Sequence, residues 1–225
     1  MLADMGKRRA PRIGRPPGST SDATRARILL AARTRFARAG YAGTTNKDIA
    51  GLAGITAAAI YQYFDSKTAL YVATVKDAQA ELVPEFERAV AGEASTRAAF
   101  RALLAASARL HAHDPSLAAF LSSLPVEMQR EPSIAEAMVA EPSPVLEVVA
   151  RMVDRGVRAG DIARRDAPRV IAVFLACTMG LSLYAATMES EDFLETMKAF
   201  LALLEGGLVR EPRGKRPVSP RSRSR

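Results

Sequence analysis

Apolar residues recur along this chain at helical spacing, and no convincing alternating run marks a strand. Ile28, Ala32 and Phe36 fall at i, i+4 and i+8, with Arg25, Arg33 and Arg35 elsewhere on the wheel. An amphipathic helix therefore runs from Ser21 and ends at Gly40. In TTNKDIAGLAG, Thr45 and Asp48 form a capping-box-like pair, which makes Thr45 an N-cap. Ile49 and Leu52 are expected to face inward, and Gly54 to stop this short helix in the left-handed conformation. Thr56 caps another helix, from Ala57 to about Phe64, and Asp65 or Ser66 caps a longer one beginning at Lys67. Further helices are predicted over 96–114, from Asp114-Pro115 onward, up to Gly160, over 166–188 and over 191–208. The prolines of 130–144 leave a short helix and turns there. The fold class is all-α, with about nine helices.

Three short helices within 21–66, the second and third joined by a tight glycine turn, form a helix-turn-helix arrangement. Ala50 must be small where the two helices cross. Ile55 and Ile60 tuck the later helix onto Ile49 and Phe36, and Phe64 belongs to the core. The outer face then carries Thr56, Ala57, Ala58, Tyr61 and Gln62. Small residues let a helix sink into a major groove, where methyl groups meet thymine methyls. The hydroxyls of Tyr61 and Tyr63, the Lys67 ammonium and the N–H groups at helix starts capped by Thr45 and Thr56 can reach phosphates.

Charge strengthens this reading. The net charge is +8, but residues 66–209 carry 14 basic and 19 acidic residues. The excess of positive charge lies in residues 1–65 and 210–225. A basic N-terminal third points to a polyanion, and the acidic middle to some other partner. IGRPPGS, residues 13–19, resembles the Arg-Pro core of an AT-hook, which would place Arg15 in a narrow minor groove. The alternative is a disordered basic arm. The first residues have no apolar run after their basic ones and do not read as a secretory signal.

Hydrophobic residues make up 48% of the chain and charged residues 25%, as in a globular protein. The single cysteine, Cys177, cannot form an internal disulfide and reads as a small core residue. Neither a P-loop nor a G-x-S-x-G element is present. His111 and His113 are two apart and do not share a helical face. No enzyme activity, metal or cofactor is therefore expected. Residues 170–188 contain no charge. They are expected to be an interface helix, buried on one side by its own core and on the other by a partner, rather than a membrane span.

The stretch RARILLAARTRFARAGYAGTTNKDIAGLAGITAAAIYQYFDSKTAL resembles the DNA-binding domain of the TetR family, the tetracycline-repressor-like regulators. The resemblance implies an all-α homodimer with a divergent C-terminal domain that holds an effector pocket and the dimer face. Family DNA contacts carry over to Thr45, Thr56, Ala57, Tyr61, Tyr63 and Lys67. Many members have Lys, Arg or Pro and then Gly just after the Thr56 position. Here both are Ala, which makes base readout from that edge weaker or more apolar.

The expected organisation is a flexible basic arm over 1–20, a helix-turn-helix domain over 21–66, an effector-binding and dimerisation domain over 67–209 and a disordered basic tail over 210–225. An apolar pocket is expected from Leu103, Ser107, His111, Phe120, Leu124, Met128, Met152, Phe174, Cys177 and Thr178; the alternative is that these residues fill the core. The dimer contact is expected near Ala176, Gly180 and Leu181. The expected function is a cytoplasmic, sequence-specific repressor, bound to double-stranded DNA and released by a small hydrophobic effector. An effector-independent or architectural DNA-binding protein is the alternative.

Overall fold

A computed structural model describes residues 19–139, 143–185 and 190–204. Its elements are α1 (Ser19–Ala39), α2 (Asn46–Ala53), α3 (Ala57–Ile60), α4 (Lys67–Ala91), α5 (Thr96–His113), α6 (Pro115–Arg130), α7 (Pro132–Val139), α8 (Pro144–Ala159), α9 (Ala167–Ala185) and α10 (Ser190–Leu204), with a 3-10 turn at Arg164–Asp166. The fold is all-α, with ten α-helices among the described residues rather than about nine. Arg15 and the other residues of the arm, the basic tail and the ends of the two last expected helices lie outside the described residues.

The helices fall into two compact units. The first comprises 19–78 and 124–139, and the second 79–123, 143–185 and 190–204. This division differs from the expected boundary at residue 66. Both α4 and α6 contribute residues to each unit.

In the first unit the local signals act as the sequence leads one to expect. Gly40 ends α1 at φ +69°, and its N–H donates to Phe36 O at 2.9 Å. That conformation favours glycine, and an added Cβ would also come within 2.8 Å of Glu127 Oε1 and displace the end of that side chain. Thr45 Oγ1 accepts from Asp48 N at 3.2 Å, and Asp48 Oδ2 accepts from Thr45 N at 3.0 Å, which completes the capping box. Gly54 follows α2 in the left-handed region, at φ +67°.

Ile28, Leu29, Phe36, Ile49, Ile60, Leu70, Tyr71 and Ile134 are all but fully buried and form the core of this unit. The Phe36 and Tyr71 rings meet edge to face at 4.9 Å. Two expectations fail here. Leu52 is 57% exposed, because α2 turns Ile49, Ala50 and Ala53 inward and Leu52 lies beside that sector. The helix after Thr56 also stops at Ile60. Gln62 and Tyr63 donate to Ala59 and Ile60 carbonyls at 3.2 and 2.9 Å in tighter i to i+3 turns. Phe64 nevertheless reaches the core.

In the second unit α5 packs on both α8 and α10, and α9 packs on α8. Leu82, Phe86, Leu103, Leu104, Val149, Met152, Phe193 and Met197 belong to one apolar core. Asp161 fastens the start of α5 to the end of α8. Its Oδ2 accepts from Thr96 Oγ1 at 2.7 Å and from Thr96 N at 3.3 Å. Gly156 permits this approach, since a Cβ would fall 2.5 Å from Thr96 Oγ1.

Candidate nucleic-acid interface

The loop between α2 and α3 turns one face of α3 outward. Ile60 is fully buried, Ile55 is half-buried and Phe64 is buried, which leaves Thr56, Ala58, Tyr61 and Gln62 exposed. Tyr61 is 58% exposed, high for so large an aromatic side chain. Ala57 and Tyr63 are half-buried at the edge of this face. Thr56 Oγ1 accepts from Ala59 N at 3.2 Å. The exposed Thr45 side chain occupies the corresponding place at the start of α2. Each helix start adds a partial positive charge to this surface.

Asp48, in the first turn of α2, is committed to the cap. Hydrogen bonds from the Thr45 side chain and backbone hold its carboxyl below the usual carboxylate range, helped by nearby Arg35, whose guanidinium lies at 3.6 Å. It therefore stays ionised as a cap.

Lys67 opens α4 and is not simply extended into solvent. Its Nζ lies 4.2 Å from the centre of the Tyr41 ring, a cation–π contact. Burial lowers its pKa, while the carboxylates of Glu131 and Glu127 act in the opposite direction. The Tyr41 and Thr68 hydroxyls are 2.8 Å apart, and Thr68 Oγ1 lies 3.4 Å from Ser133 Oγ. Sequence reasoning missed Glu127, Glu131 and Tyr41 as neighbours of Lys67. No short-range pattern connects Lys67 with Tyr41, 26 positions before it, or with Glu127 and Glu131, some sixty positions after it; only the packing of this unit brings them together.

The second unit carries a different kind of surface, a cleft of about 860 Å³ at the start of α5. Its walls come from α5, the end of α8, the 3-10 turn, α9 and α10. Of the expected pocket residues, Phe174 and Cys177 line it. Leu103, Phe120 and Met152 are fully buried instead. His111 is buried against Phe193, ring centres 4.4 Å apart, and burial lowers its pKa, which favours the neutral ring. Ser107 donates to Leu103 O at 3.1 Å and Thr178 to Phe174 O at 3.0 Å. Both hydroxyls are thus tied to their own helices. Leu124 and Met128 belong to the first unit. The cleft residues Arg97, Arg101 and Arg169 were not among the expected pocket residues, because charged residues at helix starts read as solvated surface.

Helix α9 has the composition and length to cross a membrane, yet only 6% of its most apolar window is buried. Val173, Ala176, Gly180, Leu183 and Tyr184 are exposed and recur at helical spacing along one stripe. Leu181, also in the expected dimer set, is half-buried and packs on the core of its own unit.

Residues 28–74 match the family model of bacterial regulatory proteins, tetR family. The HTH-type transcriptional repressor KstR2 of Rhodococcus jostii (strain RHA1) is 34% identical over 83 residues, 37% of this chain and 41% of that protein. The match thus spans less than half the length of that relative. Among solved structures, FadR from Bacillus subtilis in complex with stearoyl-CoA aligns with a TM-score of 0.66 at 19% identity, covering 82% of this chain and 99% of that one. PfmR from Thermus thermophilus, a TetR family transcriptional regulator, aligns with a TM-score of 0.63 at 23% identity, covering 83% and 98%. At these identities the likeness to the two structures is one of fold.

Proposed function

We propose, from the match of residues 28–74 to the tetR family model, that this chain is a dimeric, sequence-specific DNA-binding repressor released by a small-molecule effector. The observation that carries this reading is the outward face of α3. Thr56, Ala58, Tyr61 and Gln62 stand exposed on the short α3 and the cap and turn that flank it, held by a capping box and a left-handed glycine turn before it. A face of small and hydrogen-bonding side chains suits a major groove. Thr45, Ala57, Tyr63 and Lys67 flank it as groups for backbone and base edges, and Arg15 would add a minor-groove contact. The protein then acts in the bacterial cytoplasm, where the DNA is.

Dimerisation follows from α9. An apolar stripe exposed along a helix of this length is covered when a second copy packs on it about a two-fold axis. Ala176 and Gly180 lie at its centre and allow close approach. Two reading helices then meet successive major grooves, about 34–36 Å apart. The cleft of the second unit is the place for an effector. Its ligand alters DNA affinity only through preference for one conformation of the protein, typically about 1–3 kcal/mol of coupling.

Selection of duplexes from a random pool, followed by footprinting, tests the reading. The expected product is a two-fold-related pair of half-sites. Tyr61→Ala should weaken binding to it in a sequence-dependent way. Lys67→Ala should weaken binding to all sequences more evenly and make the salt dependence shallower. No enriched sequence, or unaltered binding by both variants at moderate salt, sinks the assignment.

A further inference from the structure

The walls of the cleft in the second unit divide by chemistry. Phe100 and Phe174, ring centres 4.7 Å apart, line it with Val170, Val173 and Phe200. The polar side is arginine-rich. Arg97 and Arg101 come from the first turns of α5, one helical turn apart, and Arg169 from the first turn of α9. Two carboxylates also reach the cleft, so its lining carries three arginines against two aspartates. Asp161 Oδ2 accepts twice from Thr96. Asp166 Oδ1 accepts from Arg169 at 3.2 Å, and Arg165 approaches its other oxygen at 3.7 Å. Arg97 is exposed and has no ion pair among the described residues.

These observations leave an apolar wall beneath a mouth with a surplus of positive charge. The volume of about 860 Å³ is within the range of small-molecule sites. A purely apolar ligand would leave the guanidinium side unused, and a cation would be repelled by it. The basic segment 210–225, with seven basic residues and one acidic, is disfavoured as an occupant for the same reason. Guanidinium groups bind carboxylate and phosphate oxygens through paired N–H donors.

We propose that this cleft binds an amphiphilic anion, an aliphatic chain headed by a carboxylate or a phosphate. The chain lies along Phe100, Phe174 and Phe200, and the head group meets Arg97 and Arg169. Its regulatory meaning rests on the effector reading above, whereas binding itself does not.

Titration calorimetry on the full chain tests it, with octanoate, dodecanoate, dodecyl phosphate and dodecyltrimethylammonium, all below micelle formation. The two dodecyl anions should bind at one per chain. Dodecanoate should bind more than about tenfold tighter than octanoate, since each added methylene is removed from water. The ammonium should bind about tenfold more weakly than the anions, or worse. Combining Arg97→Ala with Arg169→Ala, both at exposed positions, should abolish the preference for anions. Val170→Trp, which fills the cleft, should weaken every amphiphile, with helicity by circular dichroism confirming that the variant folds. Binding that ignores the head group or the chain length overturns the proposal, as does binding that neither variant alters. Adding the anion to the protein–DNA complex separates the two readings. An anion that occupies the cleft without changing DNA affinity supports the site and sinks its effector role. Absence of anion binding, with Tyr61→Ala still defective on DNA, sinks the site and leaves the DNA-binding reading intact.

Discussion

The exposed side of α3 and its flanking cap and turn in the first unit carries Thr56, Ala58, Tyr61 and Gln62, whereas the exposed side of α9 in the second carries Val173, Leu183 and Tyr184. The first face is small and hydrogen-bonding, and its position is fixed by bonds between neighbours in sequence: Thr45 with Asp48, Thr56 with Ala59, and the left-handed turn at Gly54. The second is apolar, and little among the described residues covers it. A polar face loses nothing by waiting in water for its partner. An apolar one of this extent gains by being covered. The comparison teaches that the two units depend on other molecules to different degrees. On the proposed function, the reading face is complete in a single chain, whereas the apolar face is covered only by a second one.

The largest expected effect breaks the apolar side of this contrast. Among the described residues nothing lies within 4 Å of a Cβ added at Gly180, so these residues leave room for a side chain there. In a packed contact, Gly180→Asp would bury an unpaired carboxylate, at a cost of about 3–5 kcal/mol. Sedimentation velocity should show dissociation to monomers, with the dissociation constant raised ~100-fold or more. Helicity should be retained. A dimer that survives the change would remove α9 from the contact.

A smaller effect probes the polar side. Thr45→Ala removes the cap of α2 and should lower stability to urea by about 1 kcal/mol. DNA affinity should fall with it, because the start of α2 frays. Thr178→Ala in α9 is the counterpart. Its hydroxyl bonds only to carbonyls of the same helix, at 3.0 Å, so its loss should stay within about 0.5 kcal/mol. Equal losses would mean that the caps of the first unit have no special hold on its surface.

The same contrast explains what the sequence revealed and what it hid. The capping box, the glycine stops at positions 40, 54 and 160, and the burial of Ile49, Ile60 and Phe64 all depend on residues within a few positions of one another. They were legible. Leu52 was misjudged because on a short helix an i, i+3 pair does not decide which side of Ile49 turns inward. The second unit was legible as helices but not as a packing. Leu103, Met152 and Phe174 share the periodicity of residues that could line a pocket or fill a core. All three join one core, and only the placement of α5 among α8, α9 and α10 leaves the third also on the wall of the cleft. The arginines there were hidden for the opposite reason, since nothing local distinguishes a cleft-lining arginine from a solvated one.

The smallest expected effect concerns Lys67, where the polar side of the comparison is least simple. This lysine is proposed to meet a DNA phosphate, yet its ammonium already lies on the Tyr41 ring with Glu131 and Glu127 nearby. Any phosphate contact must compete with those carboxylates. Glu131 is half-buried and the more accessible of the two to substitution, since Glu127 is buried and sits close against Gly40. Glu131→Gln removes one competing charge while keeping the shape. Partly exposed charge pairs are worth about 0.2–1 kcal/mol, so DNA affinity should rise by a factor of about 1.5 to 5. The rise should shrink as salt increases. Glu136→Gln, at an exposed position of α7, changes the net charge by the same amount away from this contact and serves as the control. Fluorescence anisotropy on one selected duplex at two salt concentrations reads the difference. If both substitutions raise affinity equally, the gain is one of overall charge and Lys67 is not restrained. If Glu131→Gln alone does so, and the gain vanishes in the Lys67→Ala background, the carboxylate acts on DNA binding through this lysine.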